Sequence, residues 1–93
     1  MPKDSWRDSL TDNLCEAFAK LGTREEIYEF LEDVASIGEI KSMAQRLEVA
    51  RLLRNGMKYP EIVRVSGAST ATISRVKKCL DYGTGGYESV LKE

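Results

Sequence analysis

Histidine is absent from this sequence of 93 residues, and only two cysteines and two prolines occur. Without histidine, and with Cys15 and Cys79 far apart in the chain, neither a zinc site nor a cysteine-histidine nucleophile can be built. A phosphate-binding glycine loop and a paired acid-base constellation are also missing. We therefore predict no catalytic residue, no metal site, no cofactor and no enzyme activity, and we expect both cysteines to be buried small hydrophobes.

Long apolar runs are also missing. No stretch approaches the roughly 18 residues that cross a bilayer, and the N-terminus MPKDSWRDSL lacks the apolar segment of a signal peptide. The hydrophobic content of 42% and the charged content of 31% are typical of a globular chain. We therefore expect one cytoplasmic domain over residues 1–93, with no membrane partner.

Negative charge is scarce in the middle of the chain. The net charge of the whole sequence is -1, but residues 1–40 carry a net charge of -6, residues 41–80 of +7 and residues 81–93 of -2. A basic middle segment is the electrostatic pattern expected of a protein that binds polyphosphate. On charge alone, neutralisation of a basic helix by the acidic N-terminal part is an equally good interpretation.

Capping residues and glycines divide the chain into about six predicted helices. Ser5 and Ser36 are candidate N-caps of the first and third helices, and residues 23–26 form the capping box T-x-x-E of the second. The third helix is expected to extend to about Arg54, where Asn55-Gly56 supplies a stop. The sequence therefore predicts an all-α fold.

The third predicted helix is apolar around an unusually wide part of its circumference. Its apolar residues between positions 37 and 53 exceed what a surface helix of one small monomer needs. This width indicates either a central helix or a dimer in which a second chain covers the excess.

A pair of short helices is predicted directly after the third helix. Residues Tyr59 to Ser66 form a short predicted helix with Pro60 in its first turn, Gly67 ends it, and the next helix begins near Thr70. The apolar residues Ile62, Val63, Ile73 and Val76 are placed to pack these helices together at a steep angle. The pattern predicts a helix-turn-helix over about residues 59–81.

The outward residues of the second helix in this pair are short hydroxyls, alanine and cations. Short side chains in a first helical turn allow close approach to the major groove, and neighbouring cations reach phosphates. Thr70, Ala71 and Ser74 are expected to face base edges, and Lys58, Arg75, Lys77 and Lys78 to contact mostly phosphate. The predicted DNA-binding residues are Lys58, Ser69, Thr70, Ala71, Thr72, Ser74, Arg75, Lys77 and Lys78.

The segments RLEVARLL at 46–53 and GASTATISR at 67–75 resemble the Trp repressor superfamily, especially its Trp repressor-like YerC/YecD family. The likeness covers about residues 14–91, including the DYG at 81–83. It implies an all-helical, intertwined homodimer with one helix-turn-helix on each side. It also implies a transcriptional regulator of the repressor type that binds a palindromic operator on double-stranded DNA.

The resemblance also implies a possible effector pocket. In Trp repressor the indole of the co-repressor lies between two arginines, beside a threonine and a glycine, and the matching residues are Arg46, Thr72, Arg75 and Val76. Val76 stands where the glycine leaves space for the ring. We therefore do not expect tryptophan as the effector, and favour phosphate contacts or an ion pair for the two arginines.

Two other interpretations stay open. A helical protein-protein interaction module could dock partners through its basic face and through the acidic face of the second helix, and would need no DNA. A helix-turn-helix of the recombinase or transposase type is normally attached to a catalytic domain, for which the sequence holds no counterpart.

Overall fold

A computed structural model describes residues 5–92, which form six helices and no strand. The predicted all-α class is confirmed. The helices are α1 (Ser9–Ala19), α2 (Arg24–Val34), α3 (Ile37–Arg54), α4 (Tyr59–Ser66), α5 (Thr70–Tyr82) and α6 (Gly86–Leu91). They fall into two compact units that divide after Ile37. The assignment of residues 1–93 to one domain stays a prediction.

The start of α1 differs from the sequence prediction. Asp8, not Ser5, is the N-cap: its carboxylate accepts from the Thr11 N–H at 2.9 Å, and the Thr11 hydroxyl accepts from the Asp8 N–H at 2.8 Å. Because this reciprocal capping box satisfies two N–H groups at once, it fixes the start of the helix three residues later than predicted. The helix ends at Ala19, with Lys20 as C-cap.

The capping box of α2 is confirmed. The Thr23 hydroxyl accepts from the Glu26 N–H at 3.2 Å, and the Glu26 carboxylate accepts from the N–H groups of Thr23 and Gly22. These hydrogen bonds lower the pKa of Glu26, because they stabilise its charged form. Within the first unit, Phe18 of α1 packs edge-to-face on Phe30 of α2, with ring centroids 5.1 Å apart.

The hydrophobic core of the second unit lies where the C-terminal half of α3 meets α4 and α5. Its buried residues are Val49, Ala50, Leu52, Ile62, Ala68, Ile73 and Val76. Ile62, Ile73 and Val76 were predicted to close the helix pair, and their burial confirms this. Val63, predicted with them, is instead exposed on the outer side of α4.

Both cysteines are exposed, so the prediction of buried thiols is wrong. Cys15 lies on α1, which has no buried residue, and Cys79 lies beside the core positions of α5 and not among them. The sequence could not separate these flanking positions from core positions, because cysteine is compatible with either.

Candidate nucleic-acid interface

The turn between α4 and α5 is held by glycine and by two side-chain hydrogen bonds of Ser66. Gly67 adopts a left-handed conformation, with φ of 75°, and its N–H donates to the Val63 carbonyl at 3.0 Å. The Ser66 hydroxyl donates to the Ile62 carbonyl at 2.6 Å and accepts from the Ala68 N–H at 3.1 Å. These contacts fix the direction in which the chain leaves α4 and enters α5.

Gln45 of α3 adds a longer-range contact to this turn. Its side-chain amide donates to the Ser66 carbonyl at 3.2 Å and so links α3 to the end of α4. Neither Gln45 nor Ser66 was predicted to hold this turn. A serine in the last turn of a helix before glycine is a usable signal for such a turn, whereas the Gln45 contact spans 21 residues and needs the fold.

The first turn of α5 is capped by Ser69. Its hydroxyl accepts from the Thr72 N–H at 3.1 Å and donates to the Thr72 hydroxyl oxygen at 3.1 Å. Ser69 and Thr72 therefore have a role in starting the helix. Thr70 follows the cap and is exposed.

Burial divides α5 into an inner and an outer side. Ile73 and Val76 are buried in the core, and Leu80 packs against it. The residues predicted to face base edges, Thr70, Ala71 and Ser74, are all exposed, and we call them the reading face. Arg75, Lys77 and Lys78 are exposed as well, so α5 combines short side chains and cations on the side turned away from the core.

The cations of the second unit form two groups. Four of those between residues 41 and 80 pair with carboxylates: Arg51 with Glu48, Arg54 with Glu88, Arg64 with Glu61, and Lys77 with Asp81. Within residues 38–92, no ion pair occupies the other five, which are Lys41, Arg46, Lys58, Arg75 and Lys78. Three of these five belong to the predicted DNA-binding set, and their charges are available to an external anion.

Comparison with known proteins identifies the family of this chain. The family described as Trp repressor protein matches residues 9–93. The chain belongs to the Trp repressor family. Protein YerC of Bacillus subtilis strain 168, whose function is uncharacterised, is 50% identical over 91 residues, which are 98% of this chain and 88% of YerC. The resemblance to the Trp repressor-like YerC family is thus confirmed.

Two solved structures are similar to this Trp repressor family member. One is a candidate Trp repressor from Staphylococcus aureus, with a TM-score of 0.91, 43% identity, and coverage of 98% of this chain and 91% of the other. The second is a TrpR-like protein from Eubacterium eligens, with a TM-score of 0.92, 42% identity, and coverage of 97% and 93%. Both likenesses extend over nearly the whole fold.

The four residues matched to the effector pocket of the Trp repressor family have different environments. Val76 is 1% exposed and belongs to the hydrophobic core. Arg46 and Thr72 are half-buried, whereas Arg75 is exposed. The side chain that replaces the pocket glycine is therefore already packed against protein atoms.

A separate apolar groove lies in the second unit, beside the C-terminal end of α5. It has a volume of about 540 Å³ and is lined by Leu47, Cys79, Gly83, Thr84, Gly86, Tyr87 and Val90. The described residues contain no cluster of three or more potential metal ligands. Among residues 5–92, no helix combines the length and hydropathy that a membrane crossing requires.

Proposed function

We propose that this protein is a sequence-specific DNA-binding transcriptional regulator, of the repressor type, that acts in the cytoplasm as a homodimer on a palindromic operator. The observation that carries the proposal is the outer side of α5, where the reading face lies beside the unpaired cations Arg75 and Lys78. The family membership supports it, because the family is described by the name Trp repressor protein. Regulation by binding, without catalysis, is part of the proposal.

The physical reason is the fit of such a helix to the major groove. A recognition helix reads bases through its N-terminal residues, and large side chains there would hold the backbone away from the groove floor. Thr70, Ala71 and Ser74 are all short, and a hydroxyl can donate to or accept from a base edge. Arg75 and Lys78 are close enough in sequence to reach the phosphates that flank the same groove.

Selection from random duplex DNA tests this function directly. The purified protein should enrich a defined sequence, and Arg75→Ala should weaken binding to all fragments because a phosphate contact is lost. Arg51→Ala is the matched control, since Arg51 is already paired with Glu48 on α3. Enrichment of no common sequence would contradict the proposal, and binding that does not change with salt would favour the protein-interaction module.

The homodimer is supported by the apolar surface of the first unit. No described residue of α1 or α2 is buried. The apolar side chain of Leu10, for example, is 77% exposed. A small helical pair that leaves so much apolar surface in water gains little stability from the hydrophobic effect. The exposed large apolar residues up to the start of α3 are Trp6, Leu10, Leu14, Phe18, Ile27, Tyr28, Val34 and Ile37. A second copy of the chain would cover this surface.

Sedimentation tests the homodimer. At micromolar concentration the mass should be about twice the chain mass of 10.4 kDa. Two recognition helices related by a two-fold axis should select an inverted repeat, with half-site centres about one helical turn, or ~34 Å, apart. A monomer that binds DNA tightly, or a selected sequence made only of single half-sites, would contradict the dimer.

We further propose that DNA binding does not depend on tryptophan. Val76 fills part of the core between α5 and its neighbours, so an indole ring at this position would have to displace packed atoms. Arg46 and Arg75, which form no ion pair within residues 38–92, are then better suited to phosphate contacts than to holding a ring. No small-molecule cofactor is part of this proposal.

A further inference from the structure

Asp81 binds one of the predicted DNA-contacting cations at the C-terminal end of α5. The Lys77 ammonium donates to both carboxylate oxygens of Asp81, at 3.1 Å and 2.8 Å. This hydrogen-bonded pair raises the pKa of Lys77, because the carboxylate stabilises the charged amine. Both side chains are about half exposed, so the pair lies in contact with solvent on the outer part of the helix.

The pair is poorly placed to stabilise α5. Asp81 is in the last turn of the helix, where the partial negative charge of the helix end repels a carboxylate. The order of the two residues is also the weaker one, since an acid four residues before a base supports a helix better than the reverse. No basic residue lies in that last turn to compensate. Helix stability therefore gives only a weak reason for an aspartate at this position.

The position of the Lys77–Asp81 pair relative to the reading face supplies a functional reason for the aspartate. Thr70, Ser74, Lys77 and Asp81 follow one another at intervals of four, three and four residues, which places them along one stripe of the helix. All four are exposed. A duplex that contacts Thr70 and Ser74 would run past Lys77, whose charge is held by Asp81 and not offered to phosphate.

Nonspecific DNA binding depends almost entirely on cations that replace counterions on phosphates. A lysine bound to a carboxylate contributes to nonspecific DNA binding only after that ion pair breaks. We propose that Asp81 is an affinity-limiting residue, which withholds Lys77 from phosphate contacts and so lowers the sequence-independent part of DNA binding. The proposal rests on the proposed function, and it adds a role for an acidic residue on a helix otherwise lined with cations.

The substitution Asp81→Asn tests this role. The affinity for duplex DNA of arbitrary sequence should rise about three- to tenfold at moderate salt, because Lys77 becomes free to displace a counterion. The slope of log affinity against log salt concentration should become steeper by about one unit for each DNA-bound chain. The thermal midpoint of the free protein should stay the same or rise, since the variant removes an unfavourable charge from the helix end.

The same substitution in a Lys77→Gln background separates the proposal from simple charge repulsion. If Asp81 acts through Lys77, the gain in affinity should fall to less than half of its value in the parent protein. A gain that persists in full would show that Asp81 only repels phosphate, and would overturn the proposal. Glu48→Gln is the control for net charge, because it opens the Arg51–Glu48 pair on α3, and it should change affinity by less than twofold.

Three further outcomes are decisive. An unchanged affinity and salt slope in Asp81→Asn, with the wild type binding DNA, would overturn the role of Asp81 and leave the proposed function intact. An equal gain from Glu48→Gln would mean that net charge alone controls binding, and would also overturn it. A wild-type protein that binds no duplex at any salt concentration would instead remove the proposed function itself.

Discussion

Arg54, the last residue of α3, forms a bidentate ion pair with Glu88 of α6. Its Nε and Nη2 donate to the two carboxylate oxygens at 2.8 Å and 2.6 Å, and its Nη1 donates to the Leu91 carbonyl at 3.3 Å. Paired parallel hydrogen bonds of this kind fix geometry better than a single contact does. Since α6 also packs on α5, this pair connects the short C-terminal helix to the unit that carries the reading face.

The Arg54–Glu88 pair predicts a pH-dependent contribution to stability. The Arg54 guanidinium lowers the pKa of Glu88, so the folded protein holds this carboxylate ionised to lower pH than the unfolded chain does. The contribution should be fully present at neutral pH and disappear as the pH falls through the lowered pKa of Glu88. Glu88→Gln should therefore lower the thermal midpoint at pH 7, and the difference from wild type should shrink as acidification protonates Glu88.

The control for this series is Glu29→Gln on α2, which removes the same charge from a residue that has no ion-pair partner among residues 5–37. Its thermal midpoint should show a much smaller change at pH 7. A difference between Glu88→Gln and wild type that does not shrink on acidification would mean that the ion pair is not its cause.

A comparison of two residues on α4 predicts where the stability of the second unit originates. Ile62 is fully buried at 0% exposure, whereas Val65 on the same helix is 48% exposed. Ile62→Ala should lower the free energy of unfolding by about 2–5 kcal/mol, because it removes buried methyl groups and leaves a cavity. Val65→Ala should stay within about 0.5 kcal/mol of wild type. Denaturant unfolding measures the free energy of unfolding of both variants. Similar decreases in the two variants would show that the core is not centred on Ile62.

Substitutions in the reading face should change base preference, whereas substitutions of the flanking cations should change overall DNA affinity. Thr70→Ala and Ser74→Ala should each alter base preference at particular operator positions, by about 1–3 kcal/mol, because they remove contacts to base edges. Lys78→Ala should weaken all sequences similarly and reduce the salt slope by about one unit. Repeating the duplex selection with each variant is the measurement. An unchanged consensus from both hydroxyl variants would show that the reading face is assigned to the wrong residues.

Val76 predicts how the protein responds to tryptophan. Millimolar L-tryptophan should leave operator affinity unchanged within about twofold, since displacing a packed side chain costs roughly 1–3 kcal/mol or more. Val76→Gly should lower affinity without any ligand, because it loosens α5 against the core and adds backbone freedom within the helix. Calorimetric titration of the wild-type dimer gives the direct answer. A saturable isotherm with one tryptophan per chain in the micromolar range would contradict the expectation.

Much of the second unit is predictable from local sequence chemistry. Gly67 and Pro60 mark the turn and the start of α4, and Ser69 is a strong N-cap type, so the helix-turn-helix could be placed nearly to the residue. The buried positions Ile62, Ile73 and Val76 follow from helical periodicity. Local chemistry was sufficient here because each signal agreed with the tertiary packing.

Other features depend on a choice between similar candidates. Ser5 and Asp8 are both good N-caps, and only the reciprocal hydrogen bonds with Thr11 decide in favour of Asp8. Both Lys77 and Lys78 lie within helical reach of Asp81, four and three residues away, and in the structure Asp81 pairs with Lys77. The pairing of Arg54 with Glu88 connects residues 34 positions apart, which no local pattern predicts.

The salt dependence of duplex binding is the sharpest test of DNA recognition by α5. Fluorescence anisotropy of a labelled duplex that carries the selected sequence should give an affinity whose logarithm falls linearly with the logarithm of salt concentration. We expect the selected duplex to bind more tightly than a scrambled one at every salt concentration, because base contacts add to the phosphate contacts. Equal binding of the two duplexes, or an affinity independent of salt, would contradict the account.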